Sequence, residues 1–585
     1  MSKYKGPDPI KRKRPNFLFI MVDEERFPTI YENDELKEWR RQNLITQELL
    51  KQNGLTFLNH YIGSTACSPS RTTLFTGQYP SLHGVTQTTG VAKGAFDSNV
   101  FWLDSNTVPT LGNYFKAAGY KTYWKGKWHL SDEDILIPGT HDALPSYQLG
   151  TGLPDRDNEK LYKRANRLKA YGFDGWIGPE PHGSDPRNSG SSSSLLVSGR
   201  DEIYASEVVD LIHKLEKGYS TDDSPWLIVS SLVNPHDITL YGLISKLLPT
   251  YQFNIDESVP SIPPSPTSNE NLDTKPSAHK SYRDVYQNAL QPTIDSEDYR
   301  RLYYSLHKTV DEQMFRVFQT LRKSIFYEDT IVIFTSDHGS LVGSHGGLFQ
   351  KWHNIYEETI HVPFIIHSPQ LFKKPKEIDF LTSHLDVIPT LLSLANINIV
   401  EIQEKLRKTH SEVHPLVGRD LTPLIKGIKM IQEPIYFQTD DEFSKGLNQE
   451  NLKGEYYASV IQPNHIEAII VRLPTGQNHS LETWKLARYY DNPQFWSKPL
   501  VEDIVSMPKA STDINQSAQI DLSITITKSK PVEDQYELYN TTKDPLEKCN
   551  LAHPSNETEE SKVMIKLLKV MLQEQIKQKK LTPKK

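Results

Sequence analysis

The sequence predicts an α/β fold: a large, mostly parallel sheet sandwiched by helices, followed by a smaller antiparallel β subdomain and a helix. Three observations carry this. Residues 17–22, 226–229 and 331–334 are short apolar runs without alternation, as expected of strands buried on both faces of a parallel sheet. Helical patterns separate them, the alternation typical of α/β folds. After about residue 425, strand-like segments follow one another without helices between them. At 585 residues the chain exceeds one ordinary domain. The expected division is a basic tail (1–14), a main unit (15–425) and a C-terminal α+β unit with a helical tail (426–585).

Taken in order, residues 41–53 read as a helix stopped by Gly54, and residues 55–61 alternate apolar with polar side chains like a strand. Another helix begins near Pro109 and stops at Gly119. Leu302, Leu306, Val310, Met314, Val317 and Leu321 recur at spacings of three and four behind an acidic start, Ser296-Glu297-Asp298, which predicts a long amphipathic helix. Residues 189–198, nearly all Gly and Ser, and the proline-rich residues 257–292 read as flexible surface insertions unable to fold alone. Segments 435–437, 456–461, 466–473 and 484–490 are the expected C-terminal strands, and the stretch from Glu560 reads as a solvated helix.

Charged residues make up 24% of the chain and the net charge is -7, which leaves no basic excess for nucleic-acid binding. Two cysteines, Cys67 and Cys549, exclude a disulfide framework, and nothing in their spacing supports a bridge. The apolar run at 17–22 is too short for a signal sequence, and no run approaches the roughly 20 apolar residues of a membrane span. A cytoplasmic location is the expectation. The sequons at Asn478, Asn515, Asn540 and Asn556 would matter only on export.

Ligands of open α/β sheets gather at the carboxyl ends of the strands, where Asp23-Glu24, Asn234-Pro235-His236-Asp237 and Asp337-His338 fall. Singly, each fits a turn or cap. Together, Asp23, Glu24, Asp337 and His338, three carboxylates and an imidazole, call for a cation: calcium or magnesium, or manganese when a histidine joins. Residues 64–77 place Cys67 where a loop turns into a helix, with Pro69 suited to the first turn and Arg71 close by. The helix start favours negative charge there, although a small buried hydrophobe is an equal reading for Cys67.

Cys67-Ser68-Pro69-Ser70-Arg71 resembles the maturation motif of the type I sulfatases, in the alkaline phosphatase superfamily. Residues 15–23, Gly126-Lys127-Trp128-His129-Leu130 and Thr335-Ser336-Asp337-His338-Gly339 are similar to further blocks of that family. So are Lys351-Trp352 with Tyr356-Glu357-Glu358 and Val362-Pro363, the stretch 384–390, and Glu537-Leu538-Tyr539-Asn540 with Asp544-Pro545 and Asn550-Leu551-Ala552. The resemblance implies that a formylglycine-generating enzyme oxidises Cys67 to the nucleophile. One divalent ion, calcium before manganese or magnesium, would be held by Asp23, Glu24, residue 67, Asp337 and His338. It implies sulfate clamps at Lys127 and Lys351, charge neutralisation by Arg71, a proton donor at His236 and a proton acceptor at His129. The implied substrate is a small-molecule or carbohydrate sulfate ester.

Some positions depart from the family pattern. Glu24 stands where Asp or Gln is usual, leaving open whether it or Glu25 meets the metal. His338 replaces a common asparagine, as in phosphonate monoester hydrolases and choline-sulfatase-like members. Gln78 and His361 each stand where arginine is frequent. The rival readings are a phosphonate or phosphodiester hydrolase on the same machinery and a non-catalytic binding protein.

Overall fold

The computed structural model describes residues 14–584 except 91, 182–185, 192–196, 198, 244–252, 447–448, 452 and 508–523. The main sheet has seven strands: β1 (Asn16–Asp23), β2 (Gly54–Tyr61), β3 (Lys121–Gly126), β4 (Trp226–Pro235), β5 (Thr330–Ser336), β6 (Phe364–His367) and β7 (Lys376–Ser383). Their order is β3-β4-β1-β5-β6-β2-β7. β1 is central and parallel to both neighbours, Leu18 lying opposite Ile228 on β4 and Val332 on β5. Its alternate residues serve two cores. Phe17, Phe19 and Met21 pack towards the helices Cys67–Thr76, Leu111–Ala117 and Val387–Leu394, while Leu18, Ile20 and Val22 pack towards Arg200–Gly218 and Glu297–Lys323. Burial on both faces explains the unbroken apolar run. The sheet is mixed, because β6 runs antiparallel to β5 and to β2.

The expected helix at 41–53 is two helices, Asp34–Asn43 and Ile45–Gln52, broken at Leu44. Asp311 supplies the cap the second lacks, accepting from Thr46 N (2.8 Å) and Gln47 N (3.3 Å). Gly54 opens β2 rather than stopping a helix, and a Cβ there would meet Leu50 O at 2.3 Å. The helix after Pro109 spans Leu111–Ala117, with a capping box between Thr110 and Asn113. Ser296 caps the long helix Glu297–Lys323.

Residues 257–292 are not a loose insertion. Val259, Ile262 and Leu272, with Ala278, Tyr282, Val285 and Tyr286 of the helix Ser277–Ala289, join the core around Tyr299, Tyr303 and Trp352. Widely spaced apolar residues among prolines hid this, since neighbours from elsewhere in the chain complete their burial. Of the Gly/Ser stretch, 192–196 and 198 lie outside the described residues, as do 1–13 of the basic tail and the sequon at Asn515.

The second sheet is antiparallel, formed by Ile435–Thr439, His465–Leu473, Glu482–Tyr490 and Gln535–Asn540. Residues 456–461 form no strand beyond a single bridge at Tyr456. Tyr457 and Val460 are buried in the helical core instead. The terminal helix, Glu559–Lys579, is not a solvated appendage: Met564, Leu568 and Leu572 cover Tyr436, Ile469, Trp484 and Leu538 of this sheet. No single described helix is long and apolar enough to cross a membrane.

Candidate active site

The site forms where β1, β3, β4 and β5 end beside the start of the helix Cys67–Thr76. Asp23 closes β1, and Glu24 follows at φ +75. That left-handed conformation costs a non-glycine residue about 1–2 kcal/mol, and two hydrogen bonds hold it: Glu24 N donates to Asp337 Oδ1 (3.1 Å) and Tyr303 Oη donates to Glu24 O (2.7 Å). The turn separates the two glutamates. Glu24 Oε2 accepts from Lys351 Nζ (3.0 Å), whereas Glu25 turns away to Gln47 Nε2 (2.9 Å) and its own N–H bonds Ser336 Oγ. Glu24 is therefore the acid of the site.

Arg71, wholly buried, ties the two aspartates together: Nη2 donates to Asp23 Oδ2 (2.9 Å), Nε to Asp337 Oδ2 (2.7 Å), and Nη1 to Ser231 Oγ (2.9 Å) and Lys127 O (3.1 Å). Lys127 Nζ donates to Asp23 Oδ2 (2.7 Å). Cys67, the first residue of its helix, points Sγ at Lys351 Nζ (3.2 Å), His338 Nε2 (3.2 Å) and Asp23 Oδ1 (3.8 Å). Cys67 and Cys549 are both free, the first buried and the second exposed.

Burial dominates the electrostatics. It pushes the Cys67 thiol up to about 12, helped by Asp23 and against the pull of Lys351 and Lys127, so a thiolate is not the resting form here. Burial would raise Asp23 too, but Lys127, His236 and Arg71 together hold it well below the carboxylate range. Glu24 is raised by burial despite Lys351. Burial also lowers His338, and lowers His236 far below the usual imidazole range with help from Lys127. Lys127 stays charged because Asp23 outweighs its desolvation, and Lys351 because the carboxylates beside it, Glu24 and Asp23, do.

The donor set fits a hard divalent cation. Asp23, Cys67, Asp337 and His338 offer ligand atoms within 4.8 Å of one another, as do Asp23, Glu24 and His236. Glu24 Oε1 is buried without a hydrogen-bond partner, a costly state for an acceptor unless something ligates it. Three carboxylates here face three permanent cations, so a divalent ion would leave the site net positive and suited to an anionic ester.

Glu180 and Asp201, which support the site, carried no signal in the sequence. Glu180 accepts from Trp128 N (2.9 Å) and His129 N (3.1 Å), fixing His129 at φ +61, while the His129 ring meets Thr89 Oγ1 at 3.1 Å. Burial, with Asp134 beside it, raises Glu180 to about 8. Asp201 accepts from Val233 N and Asn234 N, and Asp237 from Gly190 N and Ser191 N, which seat the loop carrying His236. Gln78 bonds Pro415 O, and His361 stacks between Phe27 and Tyr61.

Residues 15–397 match the Sulfatase family. The chain is 29% identical over 401 residues, 67% of its length, to an uncharacterized sulfatase, YidJ, of Escherichia coli K12, covering 69% of that protein. It is 26% identical over 443 residues to a choline-sulfatase of Rhizobium meliloti, covering 74% of this chain and 75% of the other. Its fold is shared with the phosphonate monoester hydrolase of Agrobacterium radiobacter (TM-score 0.55, 17% identity, 96% of each chain). With motif, fold and family match in agreement, the chain belongs to the Sulfatase family of sulfuric ester hydrolases, in the alkaline phosphatase superfamily.

Proposed function

We propose that this protein hydrolyses a sulfate ester using residue 67 as the nucleophile, after a formylglycine-generating enzyme has oxidised Cys67. The observation that carries the reading is the setting of Cys67 Sγ. It lies 3.2 Å from both Lys351 Nζ and His338 Nε2, amid metal-type donors, yet burial keeps the thiol protonated. A protonated thiol is a weak nucleophile, whereas an oxygen at this position suits the hard sulfur of a sulfate ester.

Asp23, Glu24, Asp337 and His338, with residue 67, would hold the ion, calcium before manganese or magnesium. When bound, it supplies Lewis acidity to the sulfate and lowers the pKa of the attacking hydroxyl. Lys127 and Lys351 grip sulfate oxygens as point charges. Arg71 holds the Asp23 and Asp337 carboxylates in place. His236 donates a proton to the leaving alcohol, and His129 accepts one from the residue-67 side chain as sulfate departs. Burial works against the protonated form of His236, so the charge of Asp23 beside it and that of the bound anionic ester are what would favour the proton it donates.

Mass spectrometry of the Cys67 peptide from protein made in its native host tests the reading, with parallel kinetics on alkyl, aryl and carbohydrate sulfates and an aryl phosphonate. Formylglycine at residue 67 and turnover of a sulfate ester, lost on chelation, are expected. An unmodified cysteine in the native protein would overturn the proposal. A preference for the phosphonate by several orders of magnitude would move the chain to the phosphonate hydrolase reading.

A further inference from the structure

We infer that Asp441, from the C-terminal sheet unit, is a positioning residue for the sulfate site; the inference rests on the sulfatase reading above. Asp441 follows the strand Ile435–Thr439 and is buried. Its carboxylate accepts three hydrogen bonds from three separate loops. Oδ2 takes the backbone N–H of Ala66 (3.1 Å), the residue before Cys67, and the indole N–H of Trp352 (3.1 Å), the residue after Lys351. Oδ1 takes the N–H of Thr88 (3.1 Å), whose neighbour Thr89 meets the His129 ring. One side chain, 375 positions from Ala66 and 89 from Trp352, thus fixes the backbone beside the nucleophile, one sulfate clamp and the partner of the proton acceptor.

Its surroundings make this a rigid mount. Thr439 Oγ1 donates to Thr65 O (2.6 Å) and Gln438 N to Gly63 O (3.0 Å), so the strand also grips the approach to Cys67. Gln87 Nε2 donates to Asp440 O (2.8 Å), Glu442 N to Gln87 Oε1 (3.1 Å), and Lys93 Nζ to Gln87 Oε1 (2.6 Å) and Glu442 O (2.7 Å). Trp352 is further held against Phe443 at 4.7 Å between ring centroids. Asp441 is not a catalytic residue, because its two oxygens are occupied by these donors. It sets where Cys67, Lys351 and His129 stand relative to one another. Misplacing reacting groups by about 1 Å costs about 10²-fold in rate.

The shape of the carboxylate makes the test specific. Three donors converge on it, and an asparagine has one acceptor oxygen, so in D441N at least one N–H faces an NH₂ group. D441E keeps two acceptors on a longer arm. Full-length wild type, D441N and D441E, matched for formylglycine content by mass spectrometry, are compared in steady-state kinetics and amide hydrogen exchange. In D441N we expect kcat to fall about 10²-fold with KM for the sulfate ester within about threefold. Exchange at Ala66 and Thr88 should accelerate while that of β1 is unchanged. D441E should recover part of kcat. Unchanged kcat in D441N, a rise in KM alone, or unchanged exchange at Ala66 and Thr88 would overturn the inference. Wild type inactive on every sulfate ester would instead overturn the functional reading beneath it.

Discussion

Two clusters of buried charge differ in a way that separates a reactive site from a structural one. The first, around Cys67, sets Asp23, Glu24 and Asp337 against Arg71, Lys127 and Lys351. The second joins the main unit to the second sheet. Lys485 Nζ lies between Glu357 (2.6 Å) and Glu547 (2.8 Å), and His345 between Glu270 (3.1 Å) and Glu358 (3.3 Å). Tyr31 and Tyr61 donate to Glu358 and Glu357. By donor type His345, Glu358 and Glu547 could also hold a metal ion, but cationic side chains already occupy that role. In the second cluster His345 is raised to about 9, because Glu358 and Glu270 outweigh its desolvation, and Glu358 falls to about 2 in return. In the first, His338 and His236 are pushed down and Glu24 keeps an unsatisfied oxygen. A closed ion network stabilises the fold, whereas one with a protonated thiol, neutral imidazoles and a spare acceptor is arranged to receive something.

The sharpest way to break this comparison is to remove one central group from each cluster. C67A should lower kcat/KM by at least ~10⁴-fold if residue 67 is the nucleophile as proposed, with the urea midpoint close to wild type because only a small side chain is lost. K485M should do the reverse. Lys485 is fully buried and bonds Ile355 O (2.9 Å) as well as both glutamates, so its loss leaves buried acids uncompensated at about 3–5 kcal/mol. Urea unfolding should show that loss, while kcat per folded molecule stays near wild type. An active C67A, or a K485M variant as stable as wild type, would erase the distinction drawn between the clusters.

Sequence patterning reached the first cluster and missed the second for a physical reason. Asp23, Asp337 and His338 follow buried apolar strands, and such strands fix where their next residues point. Cys67 and Arg71 stood out at a loop-to-helix start, whereas Lys127 and Lys351 were reached only through the resemblance of their blocks to the sulfatase family. Glu180, Asp441, Lys485 and Glu547 act through contacts over long sequence separations, set by tertiary packing that no local pattern encodes. The same limit explains the fold. β1, β4 and β5 carried their own unbroken apolar runs and the helix Glu297–Lys323 its own periodicity, but the packed segment 257–292 and the covered face of the terminal helix depend on partners supplied elsewhere. β6 escaped notice because its four residues are too few to reveal direction.

The smallest expected effect concerns pH, and it isolates His345. Its folded pKa of about 9 exceeds the unfolded value of about 6.5. The charged form is therefore favoured by folding, and its contribution is fully present below pH 6.5. It is lost as pH rises through 9, because the unfolded chain has by then released a proton that the folded chain must still lose. A gap of this size corresponds to about 3 kcal/mol. Raised carboxylates such as Glu25, at about 7, and Glu180 also weaken the fold as pH rises, so the wild-type curve alone cannot assign the effect. The difference between wild type and H345N can. Asparagine tolerates the φ of +48 that His345 adopts, so the substitution adds little backbone strain while removing the titrating ring. Urea unfolding at intervals from pH 6 to 9.5 should show H345N less stable than wild type at the acidic end, with the gap closing towards pH 9. A gap that stays constant across that range would mean that His345 is neutral between its two glutamates, and the junction cluster would then lose its claim to be a closed ion network.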